Sequence, residues 1–369
     1  MDDTLKYRIG IGLIPGIGDI MAKKLISYCG GVEAVFREKK ETLMKIPGIG
    51  ETLASSVVLQ NILQQAEKEM EFIQRYHIGY AYFLDDNYPQ RLRYCPDSPV
   101  IFYHKGNVDF NHPKIVSIVG TRQATEYGKD LCNKLVGELK QRNHYPVIVS
   151  GLAYGIDVCA HRAALRHGLP TIAVLGHGLS QVYPSAHKVT AHEIVENGGS
   201  LLTEFLSNSP IERNNFVKRN RLIAGLADCT VVVESGIKGG ALITADIANS
   251  YNRDVFAFPG RVTDFCSAGC NHLIKVNKAN LIQSVEDIEY LMNWSIEKKK
   301  PESVQPQLFP DVSPQEAILL DYLREHGKCT IDQLCLETQM PVNKALTLLL
   351  NLELMGCVSS LPGKTYKIV

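Results

Sequence analysis

Between Lys114 and about Leu281 short apolar runs alternate with glycine turns and amphipathic stretches: IVSIVG, PVIVSG, TIAVLG, SLLTEF, CTVVVES and DVFAFPG. Runs this short and this rich in β-branched residues read as strands covered on both faces. Repeated strand, turn and helix units predict an α/β fold with a parallel, doubly wound sheet, which binds ligands beyond the carboxyl ends of its strands. Polar groups gather at those ends. Gly120-Thr121-Arg122 follows the first run, Ser150-Gly151-Leu152-Ala153-Tyr154-Gly155 the second, Gly176-His177-Gly178 the third and Thr203-Glu204 the fourth.

The stretch Asn214 to Ile247 reads as helix, buried strand, glycine turn and second helix. Leu222, Ile223 and Leu226 define the inward stripe of the first helix, and the stripe continues N-terminally through Arg219 and Phe216. An arginine does not belong on a core stripe. The conflict resolves if the first turn overhangs the carboxyl edge of the sheet, so that Phe216, Arg219, Asn220 and Arg221 line a crevice. Gly236, Gly239 and Gly240 follow the strand, and glycines ahead of a helix let backbone N–H groups approach an anion. Cations, an aromatic face and a glycine nest together suit a phosphodiester backbone with exposed bases. The alternative is an ordinary strand–helix unit with solvated basic residues.

The flanks are of other kinds. Residues 1–75 read as wholly helical with an internal echo: Leu13-Ile14-Pro15-Gly16-Ile17-Gly18 and Lys45-Ile46-Pro47-Gly48-Ile49-Gly50 each precede a helix. This resembles the helix-hairpin-helix repeat, whose hairpin N–H groups meet a phosphate without reading sequence; alternatively the hairpins only turn the chain. Tyr80 to Tyr103, with its prolines and aromatics, is expected to be an extended segment packed on a sheet domain over 76–295. Residues 296–312 are charged, contain prolines and read as a linker. Residues 313–369 open on a capping box at Ser313 and predict helices near 315–325, 331–338 and 341–355 ahead of a two-stranded wing. The third of these helices has a single lysine and a dense apolar face, which favours contact with protein over duplex reading.

Composition narrows the partners. The 369 residues carry 39 basic and 39 acidic side chains, so any polyanion contact must come from a local patch. The start, MDDTLKYRIG, has no apolar stretch after a basic one, and no later run approaches membrane-spanning length, so a soluble, cytoplasmic protein is expected. The ten cysteines form no C-x-x-C pair and read as free thiols. Cys266, Cys270 and His272 are ligand types that suit zinc, but a fourth ligand is not apparent, so no metal is expected.

Nucleotide cofactors and catalysis fare poorly. No G-x-G-x-x-G follows a strand, and Gly363-Lys364-Thr365 has Val358 where a phosphate loop needs glycine, so no cofactor is expected. Asp157 and His161 share a helix face and make a possible acid–base pair, but support of the glycine turn explains them better in the absence of a nucleophile. Glu204 and Glu234 end strands, where they polarise a ligand or cap the next turn.

Gly120-Thr121-Arg122, SGLAYGIDVCAHRAAL (150–165), the Tyr183-Pro184 turn, FVKRNRLIAGL (216–226), SGIKGGALITADIA (235–248) and Phe258-Pro259-Gly260 together resemble the DNA-processing protein A family, DprA or Smf. The resemblance covers essentially the whole chain. It implies an extended Rossmann-like core that binds single-stranded DNA without sequence preference, forms homodimers and delivers DNA to RecA during natural transformation, with no covalent chemistry. The family's DNA contacts carry over onto Arg122, Phe216, Lys218, Arg219, Asn220, Arg221, Gly239 and Gly240, with the strand-end glycines Gly120 and Gly151 beside them. The tail resembles the winged-helix domain that some members carry. Gln305-Pro306-Gln307-Leu308-Phe309 resembles the peptide by which bacterial proteins dock on the sliding clamp. A competing resemblance is to Rossmann phosphoribohydrolases, nucleotide-processing enzymes with P-G-G-x-G-T-x-x-E. Here Gly239-Gly240-Ala241-Leu242-Ile243-Thr244-Ala245 lacks that glutamate, and Asp246 is the nearby acid.

Overall fold

The computed structural model describes residues 4–58, 61–294, 312–361 and 363–368. They fall into two units, one up to residue 296 and one from residue 297, and each is described by itself.

The first unit begins with six helices: α1 (Thr4–Ile11), α2 (Asp19–Cys29), α3 (Val32–Arg37), α4 (Lys40–Leu43), α5 (Glu51–Val58) and α6 (Asn61–Tyr76). The two Pro-Gly-Ile-Gly hairpins are built alike. Gly16 and Gly48 take φ of +80° and +89°, a conformation that favours glycine. Each hairpin packs against the helix that follows the other: a Cβ at Gly16 would stand 2.9 Å from Leu53, and one at Gly48 would stand 3.2 Å from Met21. The echo in the sequence is therefore a pair of mutually supporting hairpins around a shared core containing Leu25, Leu43, Ala54 and Val57.

The sheet follows. Its strands are β1 (Gly79–Tyr82), β2 (Ile101–Gly106), β3 (Ile115–Val119), β4 (Val147–Ser150), β5 (Thr171–Val174), β6 (Ser200–Thr203), β7 (Cys229–Val232), β8 (Asp254–Ala257) and β9 (Asn280–Leu281). Their order is β1-β2-β6-β5-β4-β3-β7-β8-β9. From β6 to β9 all neighbours are parallel, whereas β1 and β2 join antiparallel to the β6 edge. Every apolar run expected to be a strand is one. The region around 80–103 differs from expectation, because its two ends pair with the sheet instead of lying extended across the domain.

Helices cover both faces. α7 (Gln90–Arg93), α11 (Arg213–Leu226), α12 (Gly240–Ser250) and α13 (Ala268–Lys275) share one core with Val119, Val149, Val174 and Val232. On the other face α8 (Glu126–Gln141), α9 (Ile156–Arg166) and α14 (Val285–Leu291) pack on Ile118, Ile148 and Val231, and α10 (Lys188–Glu196) packs on Ala173 and Leu201. Consecutive strands run outward from β3 in both directions, so the order reverses between β3 and β7 and leaves a crevice at their carboxyl ends.

The second unit holds α15 (Pro314–His326), β10 (Lys328–Thr330), α16 (Ile331–Thr338), α17 (Val342–Leu354), β11 (Val358–Leu361) and β12 (Thr365–Ile368). Ser313 and Glu316 form the expected capping box, and β11 and β12 form the expected wing. The short strand β10, which pairs with β12, completes the winged helix and was not legible in its Lys-Cys-Thr sequence. Among the described residues, no helix is long and apolar enough to cross a membrane.

Candidate nucleic-acid interface

The inward stripe of α11 is buried through Leu222, Ile223 and Leu226, and Arg219 stays on it at 3% exposure. The structure resolves that conflict by compensation, and the expectation of an arginine opening into a crevice is corrected. Arg219 Nη1 donates to the Val174 carbonyl at 2.8 Å, and the guanidinium lies over Gly151, where a Cβ would overlap it. Burial brings Arg219 down to about 10, with Asp157 opposing and Arg122 adding to the fall, so it stays protonated at neutral pH. Burial raises the Asp157 carboxyl, while Arg219 and hydrogen bonds from Ala153, Ser150 and Gly151 oppose that rise. Asp157 thus supports the glycine turn after β4. His161 is not its acid–base partner: its Nδ1 meets Thr171 Oγ1 at 2.7 Å, and burial lowers the ring to about 3.

Arg221 is also turned from its expected place. It lies two residues beyond Arg219 and so on the other side of the helix. Its Nη2 pairs with Asp19 Oδ2 at 3.0 Å and with Glu204, and its Nη1 donates to the Asp97 carbonyl. Asp19 opens α2 and also accepts the Val100 N–H at 2.9 Å. Arg221 therefore ties the helical region to the sheet, with Glu69 doing the same through the Ser207 N–H and hydroxyl. The first hairpin's helix already carries a carboxylate at its start, as does the second at Glu51, and a negative group there disfavours a phosphate.

The rim keeps a different set. Arg122 after β3 and Lys218 on α11 are exposed and make no ion pair among the described residues. Asn220 is half-buried. Phe216 is half-buried with its ring over Gly176, where a Cβ would stand 2.7 Å from Cδ1. Its centroid is 5.7 Å from that of Tyr183, which is exposed. Gly239 caps α12 and Gly240 begins it, with open space where a side chain at 240 would be. The leading N–H groups of a helix lack intrahelical partners, so this end offers donors to an anion. Lys238, exposed beside it, and Tyr183 complete the rim; both fall in motifs quoted from the sequence, but neither was named there as a DNA contact. Gly176 was the available signal for the aromatic pair, since a glycine at a strand end marks a close approach.

Gly120 is structural: a Cβ there would collide with Ile156 and the Glu234 carbonyl, which also accepts the Thr121 N–H at 2.7 Å. The Glu234 carboxylate takes the Thr125 N–H at 2.9 Å and the Thr125 hydroxyl, so it caps the start of α8. Arg219 sits over β4 and β5 while Gly239 follows β7, a separation of about 10–15 Å at ordinary strand spacing. α11 and α12 pack side by side, so both contribute to the same edge of the sheet.

The three zinc-type side chains fall in separate settings. Cys270 is buried against the Val232 carbonyl, Cys266 lies near Gln123, and His272 lines another surface depression. Asp246, the acid nearest the glycine turn, pairs with Lys278 at 2.8 Å. Gln305 to Phe309 lies outside the described residues.

Residues 79–293 match the model of the DNA recombination-mediator protein A family, 301–364 that of the DprA winged helix domain and 12–60 that of the SAM-like helix-hairpin-helix tandem. Protein Smf of Synechocystis sp. is 30% identical over 98% of this chain and 98% of its own length. The X-ray structure of DNA processing protein A from Streptococcus pneumoniae superposes with a TM-score of 0.66 at 33% identity, covering 77% of this chain and 97% of that one. A structure of DNA processing protein A from Helicobacter pylori, described for its unique single-stranded DNA binding mode, gives a TM-score of 0.52 at 29% identity over 59% of this chain and 97% of that one.

Proposed function

The chain belongs to the DNA recombination-mediator protein A family, and we propose that it binds single-stranded DNA without sequence preference along the carboxyl edge of its sheet. The observation that carries this reading is the rim itself: Arg122 and Lys218 are exposed, the Phe216 and Tyr183 rings meet beside Gly176, and the Gly239–Gly240 helix start lies on the same edge. Cations neutralise phosphates whatever the sequence, and an aromatic face stacks on any base. An open edge with stacking rings suits bases that are unpaired. The structural report on the Helicobacter pylori relative, which concerns single-stranded DNA, supports the same ligand class. In this reading the protein acts in recombination as a homodimer, protecting incoming strands during natural transformation and passing them to RecA. It performs no covalent chemistry itself.

The test is anisotropy with labelled mixed-sequence single strands and duplexes over a salt series, run beside an assay for base release from nucleoside monophosphates. Comparable affinity for all single strands, weaker binding to duplex and a linear fall of log K with log salt are expected. Duplex preference or base release would overturn the reading. A RecA filament-formation assay on strands coated with single-strand-binding protein tests the handover, and no acceleration would remove that part alone.

A further inference from the structure

A cavity of about 590 Å³ opens at the carboxyl ends of β7 and β8, between the start of α8 and the loop after β8. Its size lies in the range of small-molecule clefts. It adjoins the point where the strand order reverses, which is where open α/β sheets take ligands. The residues assigned above to the DNA rim do not line it.

Its wall is built around Phe265. This ring is 74% exposed, yet it is seated: a Cβ at Gly236 would stand 3.2 Å from Phe265 Cε1, so one edge rests on the backbone that opens the glycine turn. The turn beneath is pinned by the Gly269 N–H on the Ser235 carbonyl at 2.7 Å. The base of the loop is closed by Asn271, which accepts the Gly260 N–H at 3.1 Å and donates to the Gly260 carbonyl at 3.0 Å. A large aromatic held outward by a braced loop is a platform. Tyr127, on the first turn of α8 and 53% exposed, lines the same cavity.

The charges say which part of a nucleotide fits. Arg261 is the cation among the lining residues, against the carboxylates of Asp264 and Glu234, and Glu234 is already engaged by Thr125. Such a wall does not attract phosphate. It offers a ring face for stacking and, in Asp264, a carboxylate that accepts from a base N–H, such as N3–H of thymine.

We propose that this cavity is a nucleobase site, filled by a base of the bound strand as that strand runs past the Gly239–Gly240 helix start. The inference rests on the single-strand reading above and extends it to a second stacking station. The Phe216 ring lies over Gly176, just past β5, and the Gly236 turn follows β7, so the two stations lie three strand spacings apart, about 15 Å. Only an oligonucleotide long enough to reach across engages both.

The experiment is an affinity ladder of oligo-dT lengths for the parent, Phe265→Ala and Phe265→Trp, each at several salt concentrations, with melting curves to check folding. The parent should gain affinity in a step at the length that reaches the cavity. Phe265→Ala should erase that step, a loss of about five-fold or more, with an unchanged salt slope and unchanged binding of shorter strands. Phe265→Trp should restore it. Parent-like binding by Phe265→Ala at every length, or an equal loss at the shortest lengths, would overturn the proposal. A parent that binds no oligonucleotide would instead remove the single-strand reading and this site with it.

Discussion

Arg219 occupies the volume that a side chain at position 151 would need: a Cβ built on Gly151 overlaps Arg219 Nη1. The glycine is there for clearance. Gly151→Ala should drive the guanidinium off the Val174 carbonyl and away from Asp157, leaving charges buried without partners. A buried cation that loses its hydrogen bond, or a buried carbonyl and carboxyl that lose the cation, costs about 1–3 kcal/mol or more, so both Gly151→Ala and Arg219→Ala should lower stability on that scale. Urea denaturation measures this directly. A midpoint for Gly151→Ala within error of the parent would show that Arg219 has room to move.

The exposed cations should behave in the opposite way. Arg122→Ala and Lys218→Ala should leave the urea midpoint nearly unchanged and weaken all single strands alike. Each should flatten the log K against log salt slope by about 0.7, the value for one phosphate contact on a single strand. Arg221→Ala is the control from the same helix. It should lower stability through loss of the Asp19 and Glu204 pairs while leaving the slope where it was. A flattened slope in Arg221→Ala would place that side chain on the DNA after all.

The contrast among these arginines marks where the sequence stops being informative. The parallel strands were legible because each is a short β-branched run bounded by glycine, and the paired hairpins because their motif is repeated. β1 and β2 were hidden because prolines between them imitate a loop, while their pairing depends on an edge contributed by β6 far along the chain. At the site, the period of α11 placed Arg219 on the inward face but could not say what met it there. Its partners, Val174 and Asp157, lie on other elements. Arg221 was expected to line the crevice, but its position two residues past Arg219 turns it to the other side of α11, and its acidic partners, Glu204 after β6 and Asp19 on α2, are distant in sequence. Phe216 was legible as an aromatic in the first turn, whereas its neighbour Tyr183 comes from the segment before α10.

That pair of rings should carry much of the affinity that salt does not touch. Phe216→Ala should lose about 1–3 kcal/mol of binding with an unchanged salt slope, and Tyr183→Ala should move in the same direction. Because the rings are 5.7 Å apart, the double variant should lose less than the sum of the two. Anisotropy titrations of the four proteins give the coupling. Strict additivity would mean that the rings meet the strand independently.

Glu204 gives the fold a pH dependence with a defined sign. Its carboxyl is buried at the end of β6, and Oε1 has no hydrogen-bond partner among the described residues. Burial pushes its pKa from 4.5 up to about 7, with the Arg221 charge opposing. Between those values the folded protein holds a proton that the unfolded chain has released. The stabilising contribution is complete below about 4.5 and is lost as pH rises through about 7. Glu204→Gln cannot titrate, so its stability relative to the parent should grow from about pH 5 to about pH 8, by up to about 3 kcal/mol. Other buried acids, Asp157 among them, are common to both proteins and cancel in the difference. Urea midpoints of the two proteins across that range test the point, and parallel curves would mean that Arg221 keeps Glu204 ionised throughout.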